Sequence, residues 1–395
     1  MAASPAATTA SLRPPGPYSC RVAEVEIGIG KSARRAYGLA DIAIVPSRRT
    51  RDPEDVDLSW EIDAFTLDLP LMASAMDGVV SPATAVEIGR LGGIAPLNLE
   101  GLWTRYADPE PLFQEIAELS DEKATARMQE IYRQPIDEDL VVQRIREIKE
   151  AGYTSAAAVT PQRTTALVPR ALAAEVDLLV IHGTVVSAEH KSKTSEPLNL
   201  KKFIRELPIP VIVGGCASYQ AALHLMRTGA AGVLVGVGRG NASTTRDVLG
   251  VGVAQATAVA DAKGARMRHL DETGVYCHVI ADGGMATGGD IAKAIACGAD
   301  AVMVGSPLAA AREAPGRGFH WGNAAVHPTR PRGARLDVGT LGTLEEILLG
   351  PAHDDDGRLN LFGALRQAMA LTGYENVKEF QKAEVVVTGS GVSSS

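Results

Sequence analysis

Between Gly236 and Arg246 the chain reads Gly-Val-Gly-Arg-Gly-Asn-Ala-Ser-Thr-Thr-Arg, directly after an apolar strand signal. The glycines let backbone approach a bound group closely, and the hydroxyls supply hydrogen-bond donors. Ser243 is one of those hydroxyls. A hydroxyl is negligibly ionised at neutral pH unless a positioned base takes its proton, and no His or carboxylate lies within three residues of Ser243. A second chemical signal is the pair of turns Ile280-Ala-Asp-Gly-Gly284 and Gly305-Ser306, each just ahead of a helix-compatible stretch. Backbone N–H groups at such turns suit a phosphate, and Asp282 beside its glycines suits the hydroxyls of a ribose. Glycines that only make tight turns are the alternative, and two such turns on neighbouring strands favour the anion site. His182 reads either as a satisfied polar residue at a rim or as a base or nucleotide sensor. Cys216 reads as an inert buried thiol or as a second nucleophile.

These residues follow apolar runs that end in small or polar residues, the pattern of parallel strands buried on both faces. The runs are Leu69 to Ser74, Gly93 to Leu97, Ser155 to Val159, Asp177 to Ile181, Pro210 to Val213, Gly232 to Val235, His278 to Ala281 and Ala301 to Val304. Stretches such as Ser81 to Arg90, Ser218 to Thr228 and Gly289 to Ala296 separate them with helical patterns. Eight strand-then-helix units predict an α/β fold, a single-domain (β/α)8 TIM barrel with its chemistry at the C-terminal ends of the strands. The expected organisation is a disordered arm over 1–20, the barrel over 21–388 and a flexible tail over 389–395. Within the barrel, 100–153 reads as a helical insertion between strands two and three, and 311–350 as a flap region after strand eight.

The chain has 395 residues, a formal charge of −8 with acids and bases interspersed, and 46% hydrophobic residues. Without a basic block, nucleic acid is excluded as a partner. The four cysteines are widely separated and lack metal-ligand spacing, which suits a reducing, cytoplasmic setting. Residues 1–20 lack the apolar segment of a signal peptide, and no apolar run approaches the roughly 18 to 20 residues needed to span a bilayer, so no membrane is expected.

Ala73-Ser-Ala-Met-Asp77, Arg90-Leu-Gly-Gly-Ile94, Val213-Gly-Gly215, the loop 236–246, Ala281-Asp-Gly-Gly-Met-Ala-Thr-Gly-Gly-Asp-Ile-Ala-Lys-Ala294 and Gly298-Ala-Asp-Ala-Val-Met-Val-Gly-Ser306 resemble, in order, the motifs of the IMP dehydrogenase/GMP reductase family. Leu361-Phe-Gly-Ala-Leu-Arg366 and Lys378-Glu-Phe-Gln-Lys382 resemble its C-terminal segment. The likeness runs from about Tyr37 to Lys382 and points to the bacterial branch that lacks CBS modules. It implies hydride transfer between C2 of a purine ribonucleoside monophosphate (IMP to XMP, or GMP to IMP) and NAD or NADP, within purine nucleotide metabolism and GMP biosynthesis. It also implies a homotetramer.

Position by position, the resemblance implies that Ser74 and Met76 border the nucleotide. Asp282 would hold the ribose, and Gly284, Gly305 and Ser306 the 5′-phosphate. Asn241 stands where the family often has a phosphate-binding serine. Thr245 and Arg332 correspond to residues that assist proton transfer and activate water. His182, Gly183 and Thr184 fall on the cofactor side, and the carbonyls of Gly238, Gly240 and Ser243 correspond to a monovalent-cation loop, for K+. Several positions depart from the pattern. Ser243 replaces the family's nucleophilic cysteine, His182 an Asp, Cys216 an Asn, Arg317 a reductase Glu, and Pro331 a tyrosine. The alternative is therefore a catalytically silent purine-nucleotide-binding protein with a regulatory or assembly role.

Overall fold

The computed structural model describes residues 24–191, 193, 197–238, 240, 242, 244–327 and 335–388. The expected arm 1–20 and tail 389–395 lie outside the described residues, as do Asn241, Ser243, Pro331 and Arg332.

The eight apolar runs form eight parallel strands: Leu71–Ala73, Pro96–Asn98, Ala156–Val159, Leu178–His182, Val211–Cys216, Gly232–Val235, His278–Asp282 and Ala301–Val304. They follow one another in chain order, and the eighth pairs with the first. Between first and second, Ala73 N–H donates to Ile94 O at 2.8 Å and Ile94 N–H to Leu71 O at 3.0 Å. The result is a nearly closed barrel. Alternation along each strand explains why both faces had to be apolar. Met72, Ile94, Ala158, Val180, Ile212, Leu234, Ile280 and Met303 fill the interior, while Leu71, Val159, Ile181, Val213, Val235, Val279 and Val304 belong to the larger core shared with the helices.

One end of this interior is plugged by a hairpin the sequence gave no sign of. Trp60–Ile62 pairs antiparallel with Phe65–Leu67. Trp60 and Ile62 pack into the inner core, and Trp60 Nε1–H donates to Nδ1 of His278, the first residue of strand seven, at 3.2 Å. The N-terminal end of the barrel is thereby closed, which leaves the opposite mouth for a ligand.

Helices start where the sequence provides caps. Ser81 accepts from Thr84 N–H at 3.0 Å while Thr84 Oγ1 accepts from Ser81 N–H at 2.7 Å, and Pro82 follows as the first helical residue of Pro82–Arg90. Thr287 caps Gly288–Cys297 in the same reciprocal way with Asp290. Gly288 also lets the C-terminal helix Leu361–Leu371 come close: a Cβ there would stand 2.4 Å from that of Ala364.

Segment 100–153 carries three helices, Glu110–Glu118, Asp121–Ile131 and Glu138–Glu150, of which the last packs between Pro82–Arg90 and Thr164–Ala173 as a barrel helix. Beyond strand eight, Phe319–His320 pairs with Leu336–Asp337. Among the described residues, those up to Ala36 form a compact unit separate from the one that begins at Tyr37. The described part of the first unit is the antiparallel hairpin Glu24–Gly28 with Lys31–Arg34, whose Val25 and Ile27 are exposed and add nothing to a core.

Candidate active site

At the C-terminal mouth the strand ends enclose a cavity of about 770 Å³. It brings together Ser74, Met76, His182, Gly183, Thr184, Gly238, Gly240, Asp282, Gly284, Gly305 and Ser306, all singled out from sequence.

One wall rises from strands one, seven and eight. Asp282 is the last residue of strand seven, and Gly283 and Gly284 both have φ of 77°, a backbone that side-chain-bearing residues rarely adopt. Ser74 N–H donates to Val304 O at 2.8 Å, which fixes the end of strand one beside strand eight. Gly305 is closely surrounded: a Cβ there would meet His320 Nε2 at 3.1 Å and Ser74 Cβ at 3.3 Å. His320 was not foreseen. It sits in a Gly- and polar-rich stretch with no periodicity, yet it lines the cavity, and burial holds its imidazole down to about 4, so it is neutral at pH 7. Among the described lining residues there is no Lys or Arg. An anion here would rely on backbone N–H groups and hydroxyls.

The opposite wall rises from strands three, four and six. His182 ends strand four, and its Nε2 stands 3.6 Å from Asp282 Oδ2, so the two walls touch through this pair. Gly183 exchanges backbone hydrogen bonds with strand five, donating to Gly214 O at 2.8 Å and accepting from Gly215 N–H at 2.9 Å. Thr160, Pro161 and Gln162 complete this side. Thr160 N–H donates to Glu100 Oε1 at 2.7 Å, but only Thr160 was legible as a strand end.

The loop after strand six is joined tightly to strand seven. A Cβ on Gly236 would fall 1.9 Å from Asp282 O, so only glycine admits this approach. Gln255, buried at 1% exposure, spans the same joint, its Nε2–H donating to Val235 O at 2.7 Å and to Asp282 O at 3.4 Å. Neither role was read from sequence. Gly238, Gly240, Ala242 and Thr244 line the cavity, whereas Thr245 is buried and is not part of the lining.

Two of the departures stand away from the cavity. Cys216 is buried, its Sγ–H donates to Leu234 O at 3.5 Å, and burial pushes the thiol up to about 12. Such a group is inert. Arg317 is paired with Glu110 at 3.3 Å on the exposed surface. No cysteine is among the described lining residues, and no cluster of metal-ligating side chains occurs among the described residues. No helix among them is long and apolar enough to cross a membrane.

Comparison with known proteins agrees with this geometry. Residues 36–334 match the IMP dehydrogenase / GMP reductase domain. A protein of Mycobacterium tuberculosis strain H37Rv, named an uncharacterized oxidoreductase, is 51% identical over 92% of this chain and 100% of its own length. Inosine-5′-monophosphate dehydrogenase of Methanocaldococcus jannaschii is 27% identical over 91% of this chain and 94% of its own. A crystal structure of an IMP dehydrogenase/GMP reductase-like protein from Corynebacterium glutamicum superposes with a TM-score of 0.87 at 45% identity, covering 92% of this chain and 97% of that one.

Proposed function

As the chain belongs to the IMP dehydrogenase / GMP reductase family, we propose that it is a purine-nucleotide oxidoreductase acting at C2 of a ribonucleoside monophosphate, IMP to XMP or GMP to IMP, with NAD or NADP. The observation that carries this reading is the convergence of Asp282, two glycines in the left-handed region, Gly305 and Ser306 on one wall of one cavity. Asp282 accepts from the ribose hydroxyls, and the backbone at Gly284, Gly305 and Ser306 takes the phosphate. Ser74 and Met76 border the nucleoside, and Asn241 adds a donor to the phosphate.

The opposite wall fits a second ligand. The volume of about 770 Å³ lies in the upper part of the range for small-molecule sites, and the polar residues Thr160, Gln162 and Thr184 are among those lining that wall. His182, Gly183 and Thr184 would hold the cofactor, and a bound nicotinamide would supply the acceptor or donor of the hydride. Gly238 and Gly240 stand at the cavity, and their carbonyls with that of Ser243 suit a hard monovalent cation such as K+. In this reading Ser243 attacks C2, with Thr245 and Arg332 assisting proton movement. The assembly is read as a homotetramer, for which light scattering should give a mass near four chains.

A second reading is favoured by one observation, the absence of any thiol from the described lining. A catalytically silent nucleotide-binding protein would keep the anion wall and lose the chemistry. The two separate in one pair of measurements, thermal shift with IMP or GMP and absorbance of the reduced cofactor with IMP plus NAD or GMP plus NADPH. Stabilisation with turnover supports the oxidoreductase, and stabilisation without turnover the silent protein. No stabilisation by any monophosphate overturns both.

A further inference from the structure

A buried polar network behind the cavity runs through four distant segments. It consists of Asp77 after strand one, Asn98 ending strand two, Tyr132 closing the helix Asp121–Ile131, and Trp321 after strand eight. Asp77 is 3% exposed and Asn98 4%. The backbone is shaped to admit the carboxylate, since a Cβ on Gly101 would fall 1.9 Å from Asp77 Oδ1. Beyond Asn98 the network ends on Asn323, an exposed residue of the cavity lining.

The direction of every bond in this chain is fixed by groups that can only donate. Trp321 Nε1–H donates to Tyr132 Oη at 2.9 Å, so the Tyr132 hydroxyl must send its own proton to Asp77 Oδ2. Leu102 N–H donates to the same oxygen at 2.9 Å. Glu100 N–H donates at 3.1 Å to the Asn98 side chain, which must therefore present Oδ1 there and Nδ2 on its other side. Nδ2 then donates to Asp77 Oδ1 at 3.4 Å and to Asn323 Oδ1 at 3.3 Å. Burial raises Asp77, but every hydrogen-bond partner facing it is a donor, which matches a carboxylate accepting on both oxygens. With its oxygen taken by Asn98, Asn323 keeps both amide N–H groups to donate at the cavity it lines.

Asn323 adjoins Gly322, where a Cβ would stand 3.6 Å from Met76 Cε and 4.0 Å from Ala242 O. This part of the wall thus adjoins both the expected nucleotide-bordering residue Met76 and the loop after strand six. Resting on the purine-nucleotide reading above, we infer that Asn323 is the residue that selects the base. It donates to an acceptor edge and so favours a purine with a carbonyl at C6 over one with an amino group there. Asp77, Asn98 and Tyr132 are positioning residues that hold the amide in this sense.

The test uses the full-length protein and titration calorimetry with IMP, AMP and ribose 5-phosphate. The wild type is expected to bind IMP about tenfold or more tightly than AMP, the scale of one hydrogen bond replaced by two facing donors. Asn323→Asp keeps the acceptor for Asn98 but presents oxygen to the cavity, and the IMP-to-AMP ratio should fall by about tenfold or more, while ribose 5-phosphate affinity stays within about twofold. Asn323→Ala should bring the ratio towards one. Tyr132→Phe, which frees Asp77 and Trp321 without changing shape, should lower it by about threefold with ribose 5-phosphate unchanged. An unaltered ratio in both Asn323 variants, with ribose 5-phosphate still bound, overturns this inference alone. Failure of the wild type to bind IMP, GMP and ribose 5-phosphate overturns the nucleotide reading and this inference with it.

Discussion

The wall on strands one, seven and eight and the wall on strands four and six face one cavity but are made by different means. The first uses backbone: Gly283 and Gly284 in a conformation few other residues accept, Gly305 pressed against Ser74 and His320, and a single carboxylate, Asp282. The second depends on which side chain stands at each position: His182 lines it, and His182 and Ser243 are the positions where the resemblance implies an aspartate and a cysteine. An anion pocket of glycine turns survives as long as the glycines do. A reaction centre changes with one sulfur atom. Under the proposed function binding and turnover are therefore separable, and each prediction below breaks or sharpens that separation.

The largest effect is expected from Ser243→Cys. If the second wall lacks only its nucleophile, a thiol that is a few per cent ionised at neutral pH should raise nicotinamide-dependent turnover by about a thousandfold, with nucleotide stabilisation unchanged. Absorbance of the reduced cofactor measures it. A variant that binds nucleotide normally yet stays inert would assign the loss to His182 and the cofactor side as well. Robust wild-type turnover that survives Ser243→Ala would move the chemistry to another group and end the comparison as drawn.

Gly236→Ala attacks the joint between the walls. Its Cβ would fall 1.9 Å from Asp282 O, so strand seven or the loop must shift, at a cost of about 3 kcal/mol or more in urea unfolding. Both nucleotide stabilisation and any turnover should fall together. Loss of one alone would show that the walls are less closely tied than their geometry indicates.

Asp282→Ala removes the carboxylate of the first wall and with it the 3.6 Å contact to His182 Nε2. Losing hydrogen bonds to two ribose hydroxyls from a charged acceptor should weaken monophosphate binding by about thirtyfold, with stabilisation by inorganic phosphate retained. Equal stabilisation by free nucleosides and monophosphates in the wild type would remove the phosphate assignment altogether.

How much of this was readable in the sequence follows the same division. Strands Gly232–Val235 and Ala301–Val304 coincide with their apolar runs, and the run Leu69 to Ser74 shortens to Leu71–Ala73 because Pro70 has no N–H to give a ladder. Ser74, Asp282, Gly305 and Ser306 were legible because they follow strand ends and the barrel carries strand ends to one mouth. What stayed hidden depends on contacts between distant segments: the Trp60 plug against His278, Gln255 across strands six and seven, and the line from Tyr132 through Asp77 and Asn98 to Asn323. Nothing local marks such residues, since each is an ordinary side chain until its partner arrives.

The smallest effect expected concerns His320, the imidazole against Gly305 on the anion wall. Its folded value of about 4 lies below the ordinary 6.5, so the unfolded chain binds more protons than the native state between these values. Stability contributed by the neutral ring is present above about pH 6.5 and is lost as pH falls towards 4. From pH 7 to pH 5 the loss is about 2 kcal/mol, an upper figure for one buried group. Asp77 acts in the opposite sense, because its raised value favours the native state at low pH, so the wild type alone does not isolate His320. The difference between wild type and His320→Phe does: the variant's melting temperature should fall less between pH 7 and pH 5. Adding IMP sharpens the comparison, because a phosphate bound at Gly305 would favour the imidazolium and shrink the wild-type loss, an effect the variant cannot show. A monophosphate that stabilises both proteins equally at pH 5 would place the anion away from Gly305, and the first wall would lose its distinction from the second.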